Sequence, residues 1–314
     1  MHLEKFTAVQ LIVIALLFVL FIKQGYAFEM PKEKGPTDYP QDTFATFIKS
    51  GSEGVISSFL GSADLRSNKN QVSFYESAPG DINASYLISN YTNTELEYVL
   101  FCLIDYELTP CFADNDRKIR NESIKSKERH VINIKISRPS IGAHDFSIIA
   151  FDKNNASMGN VHLYHRAVFY IGSNVFREEK TAFIEAIEDK RGGDQAVING
   201  DKSGLNFKHA IEMNIKGQGF FHIRNGEDSE SNYKLLAFTT KDGFDDLRII
   251  QSWNSFRLKP NQSAALPIEI ARASLNEKLF AILIENPYCK LESDGMLLQR
   301  PSRIIVTSVT KLAN

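Results

Sequence analysis

Few side chains in this sequence stand at spacings that could do chemistry. Of seven histidines, His162 and His165 form the close pair. In a strand, positions three apart point to opposite faces, so these two cannot share a metal without a bulge, and they read as edge or surface histidines. There is no H-E-x-x-H and no cysteine pair at zinc spacing. Asp114-Asn115-Asp116 begins like a calcium loop, but Arg117-Lys118-Ile119 follows where that loop needs its glycine and distal glutamate, which leaves a solvated loop. No G-x-S-x-G elbow and no phosphate-binding G-x-x-x-x-G-K-[ST] occurs. Asp201-Lys202-Ser203-Gly204 reads as a turn, Asp245-Asp246 as loop charges, and Arg191-Gly192-Gly193-Asp194 lacks the spacing of an R-G-D tripeptide. No residue is therefore assigned a catalytic, cofactor-binding or metal-ligating role, and no cofactor is implied.

Three further residue types carry weaker signals. Trp253 is the single tryptophan; it is either a core or edge aromatic or a stacking platform for a ligand such as a sugar ring. Three cysteines are too few for a disulfide framework, and the odd count leaves at least one thiol unpaired or intermolecular. Either Cys102 and Cys111 bridge a strand end, or Cys102 is a small buried apolar side chain; Cys289 lies far away. N-x-[ST] sequons at Asn83, Asn90, Asn121, Asn155 and Asn261 fall in expected turns or strand ends.

The elements that position these residues begin with the N-terminus. Phe6–Ile22 is a nearly unbroken apolar run between Lys5 and Lys23. It is long enough to span a bilayer as a helix. Its core, Leu11–Ile22, followed by Gly25-Tyr26-Ala27, also fits a signal peptide cut after Ala27. Both readings export the rest of the chain. Acidic and basic residues are balanced, 38 against 36, and interspersed, so no basic patch points to nucleic acid. The prolines near Phe28–Tyr39 suggest a stalk, and Phe44, Phe47, Ile48, Val55, Ile56 and Phe59 in Gln41–Leu60 fall near helical spacing, predicting one or two short helices.

From Gln71 onward the pattern is of short strands. The richest is Leu96–Tyr106, LEYVLFCLIDY, with Leu100, Cys102 and Ile104 on one face and Val99, Phe101 and Leu103 on the other. Both faces are apolar, which calls for cover on both sides or a central place in a sheet. Around it Val72–Glu76, Ser85–Ser89, His130–Ser137, Phe146–Asp152 and Val161–Gly172 read as further strands. After Arg177–Ile187, strand or short helix, and a polar stretch to Gly204, the order repeats. Phe220–Arg224 answers Ser85–Ser89, Tyr233–Thr239 answers Glu97–Leu103, Ser263–Ile270 answers Glu128–Ile136, Lys278–Asn286 answers His144–Asn154, and Arg303–Val309 answers Arg166–Gly172.

The expected fold is mainly β: an N-terminal hydrophobic helix, then two tandem immunoglobulin-like antiparallel β-sandwich domains. The expected boundaries are 1–27 for the signal-anchor or signal peptide, 28–70 for a linker with a short helical segment, 71–175 for the first sandwich, 176–206 for an inter-domain linker and 207–314 for the second sandwich. The function this implies is an exported, membrane-anchored, non-enzymatic binding, adhesion or structural protein. Its expected partners are the membrane through residues 6–22 and a protein or cell-surface polymer, with no nucleic acid. The alternatives are a scaffold subunit of an envelope or secretion assembly and a hydrolase whose site is assembled from loop residues. The anchor reading expects the protein recovered from its native host to retain Phe6–Ile22 by intact mass and N-terminal sequencing; a chain beginning at Phe28 would make it secreted.

Overall fold

The computed structural model describes residues 32–34, 45–50, 53–61, 64–66, 72–114, 116–153, 162–173, 181–189, 195–200, 202, 210, 212–214, 218–241, 244, 246–270, 273–287 and 304–313. The apolar run Phe6–Ile22 lies outside them, and among the described residues no helix is long and apolar enough to cross a membrane.

The described chain is mainly β. Its first half forms β1 (Lys32–Lys34), β2 (Ala45–Ser50), β3 (Glu53–Gly61), β4 (Asp64–Arg66), β5 (Val72–Ser77), β6 (Ile82–Asn90), β7 (Leu96–Ile104), β8 (Glu107–Thr109), β9 (Ile119–Ile124), β10 (Glu128–Ile136), β11 (Gly142–Asp152) and β12 (His162–Ile171). Its second half forms β13 (Ile187–Glu188), β14 (Gln195–Asn199), β15 (Glu212–Asn214), β16 (Gly219–Asn225), β17 (Ser231–Thr240), β18 (Arg248–Ser252), β19 (Phe256–Leu258), β20 (Gln262–Ile268), β21 (Lys278–Glu285), β22 (Ile304–Val306) and β23 (Thr310–Ala313).

These strands make four sheets. In the first half, β1-β10-β6-β3-β2 faces β4-β5-β12-β11-β7-β8, with β9 also on β7. In the second, β13-β20-β16-β14 faces β15-β23-β21-β17-β18, with β19 also on β17 and β22 on β21. Most pairs are antiparallel, but β1 runs parallel to β10 and β5 to β12, and β15 runs parallel to β23 in the place corresponding to β5.

The period-two alternation of the central strands explains how the sheets stack. On β7, Tyr98, Leu100 and Cys102 enter the core between the first two sheets, while Val99, Phe101 and Leu103 enter a separate cluster. That cluster is completed from the second half by Leu236 and Phe238 of β17, Phe280, Ile282 and Ile284 of β21, and Ile304 and Val306 of β22. The alternate residues of β17 and β21, such as Leu235, Ala237, Ala281 and Leu283, fill the second half's own core. The β7 and β17 sheets are therefore inner layers, apolar on both faces, and each carries an outer sheet.

The internal repeat is visible in atomic detail. Asn90 ends β6 and Asn225 ends β16, and both are fully buried. Asn90 Nδ2 donates to the carbonyls of Thr94 and Ile124 at 2.8 and 3.1 Å; Asn225 Nδ2 donates to those of Ser229 and Leu258 at 2.9 and 3.0 Å. Leu96 pairs with Ile124 as Ser231 pairs with Leu258, which equates Tyr98 with Tyr233. Matching Tyr233–Thr239 to Glu97–Leu103 by sequence pattern is thus one residue out of register, a slip that would exchange the two faces. Asn90 also lies in a sequon; with its amide nitrogen buried and committed, it cannot carry a glycan in the folded chain, whereas Asn83, Asn121 and Asn261 are exposed.

Two expectations are corrected. Gln41–Leu60 yields β2 and β3, paired antiparallel, in place of short helices. Over so few residues its apolar positions satisfy both periods, and its β-branched and aromatic content suits the pleated surface, where Val55 and Phe59 turn into the core. The stretch expected to be an inter-domain linker contributes β13 and β14, and Ile198 of β14 is fully buried.

Phe280 stacks on Phe238, ring centroids 5.2 Å apart, and lies equally close to Phe151 of the first half. Phe280→Ala is expected to cost about 3–5 kcal/mol in chemical unfolding, the usual range for a fully buried phenylalanine.

Candidate functional site

The residues singled out by type mostly serve the fold. His165 is 2% exposed and stacks on Phe59 with centroids 5.1 Å apart, so it is a core histidine, not a surface one. Burial pushes its pKa down to about 3, which keeps it neutral. The first half's apolar interior covers this position because β12 lies between β5 and β11. Asp114 meets Arg120 at 2.6 Å, and Asp246 accepts the Lys241 backbone N–H at 2.6 Å. Trp253 is half-buried against the second core. Among the described residues no group of three or more His, Cys, Asp or Glu side chains is placed to share a metal ion. Arg191–Asp194, Cys289 and Asn155 lie outside the described residues.

Cys102 and Cys111 form a disulfide, with Cα atoms 6.2 Å apart. It fixes Cys111–Ala113 along the edge of β10: Ala113 N donates to Asn133 O, Lys135 N donates to Cys111 O, and Phe112 bridges Ile134 antiparallel.

One cluster has the residue types of a hydrolytic triad. His144 Nδ1 lies 2.7 Å from Asp105 Oδ2, and its Nε2 lies 3.3 Å from Ser140 Oγ. Nε2 is closer, at 2.9 Å, to the Ser140 backbone carbonyl. A general-base histidine needs a lone pair on Nε2 facing the serine hydroxyl. Here both ring nitrogens face acceptors, a placement that suits the doubly protonated ring rather than a general base. The Asp105 hydrogen bond raises the His144 pKa; burial opposes it and the Ser140 carbonyl assists. The arrangement clamps the β10–β11 connection to the β7–β8 turn through the His144 ring.

That turn also feeds the junction between the halves. Asp105 and Tyr106 both have positive φ, 49° and 70°, the backbone of a type I′ hairpin turn. It directs Tyr106 OH to Asp145 Oδ2 at 2.7 Å. Arg166, fully buried, donates Nε to Asp145 Oδ1 at 2.8 Å and Nη2 to Asp145 Oδ2. Its remaining N–H groups cross to the second half, Nη1 to Glu285 O at 3.0 Å and Nη2 to Asn286 O at 3.2 Å. A buried guanidinium is tolerated because a carboxylate neutralises it and carbonyls satisfy its outer protons.

Among the described residues, a recess lies on the outer sheet of the second half. Thr181–Asp189 runs from β19, where Ala182 bridges Phe256, to the edge of β20, where Ile187 pairs with Ser263. It carries Phe183, 97% exposed, and Ile187, 54% exposed. Beside it lies a groove of about 750 Å³ lined by Phe183, Ile187, Phe220, Ala265 and Pro267, with Glu185 and Lys202 among its polar members. The exposed phenylalanine and isoleucine thus flank an apolar recess, an uncommon placement for large apolar side chains. The sequence signal is the apolar run Ala182–Ile187, of which only Ile187 belongs to a strand, β13.

No family model matches the chain, and no curated protein matches it. Among solved structures, a YadV chaperone is similar at 10% identity and a TM-score of 0.22, covering 76% of this chain and 97% of that one. At that TM-score the likeness carries no argument here.

The His144 clamp has a definite pH signature. With its folded pKa raised above the unfolded value of about 6.5, its contribution is full below pH 6.5 and is lost as pH rises through the folded pKa. His165 acts oppositely and is present in both proteins when wild type is compared with His144→Gln. The difference in melting temperature between the two is expected to be largest near pH 5.5 and to shrink towards pH 8.

Proposed function

We propose that the protein is an exported, non-enzymatic binding protein made of two tandem immunoglobulin-like sandwiches, held at the membrane by Phe6–Ile22. The first domain on this reading reaches back to include Ala45–Gly61, and the second begins near Ile187. The observation that carries the binding reading is the groove beside Phe183 and Ile187. Export is supported by the Cys102–Cys111 disulfide, since such bonds persist in oxidising compartments. A protein partner fits better than a sugar polymer, because the exposed aromatic stands over an apolar recess while Trp253 is packed against the core. Against the hydrolase alternative stands the placement of His144 Nε2 beside the Ser140 carbonyl, closer than the Ser140 hydroxyl.

A scaffold role in an envelope assembly is favoured by a separate feature. The buried seam of Phe101, Phe238, Phe280 and Arg166 joins the two halves through an apolar interface of the kind that resists hinge motion.

A photo-crosslinking residue at position 183, in the native host, is expected to capture a partner that the same residue at Ile141 (69% exposed, on the first half) does not. Phe183→Asp is expected to lower recovery of that partner about ten-fold, the equivalent of roughly 1.4 kcal/mol. Identical adducts from both positions, or none from 183, would sink the binding reading.

A further inference from the structure

The two halves close the same strand edge by different means. On β10, a length of backbone does it: Asn133 O and Lys135 N are bonded to Ala113 N and Cys111 O. The matching strand in the second half is β20. Glu128 N bonds Lys125 O as Gln262 N bonds Lys259 O, and Lys127 and Asn261 share a positive φ of 58° and 56°. Counting along from there, Pro267 matches Asn133 and Glu269 matches Lys135. Their edge groups meet a single side-chain amide: Gln251 Nε2 donates to Pro267 O at 3.2 Å, and Glu269 N donates to Gln251 Oε1 at 2.7 Å. One primary amide makes the pair of bonds that Cys111–Ala113 makes with its backbone. A register shift opposite Ala237 and Phe238, the mark of a β-bulge, sits next to Gln251 on β18.

The rest of that edge is also exposed to addition. Backbone polar groups alternate in direction along a strand. Pro267 turns its carbonyl away from β16, so Ser263 and Ala265 turn theirs the same way. Ser263 is paired by β13, which covers only Ser263 and Gln262. Among the described residues nothing hydrogen-bonds the Ala265 rung between β13 and Gln251. The apolar groove lies directly beside it and includes Ala265 and Pro267 in its lining.

We propose that the β20 edge is a strand-addition site, with Gln251 as a displaceable placeholder for the backbone of an extended partner peptide. The occupant is read from the first half, where the corresponding place holds an antiparallel peptide centred on Phe112, and from β13, which already extends this edge antiparallel. The bound segment supplies N–H and C=O groups to Pro267, Ala265 and Glu269, and apolar side chains at alternate positions to the groove. The disulfide makes the first edge permanently occupied; the second, held by two hydrogen bonds to one flexible side chain, is exchangeable. This deepens the binding reading and rests on it for the existence of a natural partner.

The test uses the full chain in detergent and a fluorescent synthetic peptide of residues 108–114 with Cys111→Ser, the segment that fits the first edge. Binding is followed by anisotropy, and protection of the Glu269 amide by hydrogen exchange. Gln251→Ala is expected to bind the peptide about ten-fold more tightly than wild type, because the competing amide is gone. Glu269→Pro, which deletes one exposed donor, is expected to abolish binding while keeping the wild-type circular dichroism. Absence of binding to a folded Gln251→Ala protein, or equal binding to Glu269→Pro, overturns the proposal and leaves Gln251 as an edge cap alone. Either result leaves crosslinking at position 183 untouched, so failure of the edge and failure of the binding reading are told apart.

Discussion

The structure depends on burying the face that β7 and β11 share with β17 and β21. Val99, Phe101, Phe151, Leu236, Phe238, Phe280 and Ile282 are all 0–1% exposed and none of them belongs to either half's own core. Exposed, this face would be an aggregation-prone apolar patch. The two inner sheets therefore have to meet, and everything that joins the halves is arranged around that contact. Arg166 sits at the rim of this contact, where the apolar seam gives way to the backbone carbonyls that end β21. Its charge is balanced by Asp145 of its own half, while Nη1 and Nη2 also donate to carbonyls of the other, so it ties the two halves together.

A stack of open sheets still has edges, and unpaired edges invite association. The first half covers the β10 edge with a covalently held peptide, which pins a loop of about ten residues and stabilises the native state by roughly 2–3 kcal/mol on the loop-entropy estimate. The second half covers the same place with an amide. The two devices satisfy the same donor and acceptor, but they differ in how easily they let go. The groove, the exposed Phe183 and the short β13 all lie on the side where cover is weaker. Edge protection is therefore unequal between the two halves.

The charged clusters show how residue types mislead without geometry. Ser140, His144 and Asp105 have the inventory of a triad, and only the placement of the Ser140 carbonyl tells the imidazole from a general base. His165 sits on a strand whose sequence, VHLYHRAVFYIG, does not show which alternate set of residues faces a core. Its neighbour Arg166 looks like a surface cation and is, among the described residues, the largest of the fully buried side chains. Both depend on cover supplied by distant strands.

What the sequence determined by itself was local. Alternation and β-branched content marked the strands, and two apolar faces on Leu96–Ile104 required cover on both sides. The order of strand patterns revealed the repeat, because side-chain period and turn chemistry are properties of neighbouring residues. Tertiary structure decided what depends on distant partners: that the second apolar face is covered by the protein's own second half, that Cys102 meets Cys111, that Ala45–Gly61 is a hairpin in a sheet, and which residue of the repeat matches which. It also decided the site. Gln251 becomes a backbone surrogate only because β18 and β20, from different sheets, bring it within hydrogen-bonding distance of Pro267 and Glu269, and no local pattern encodes that distance.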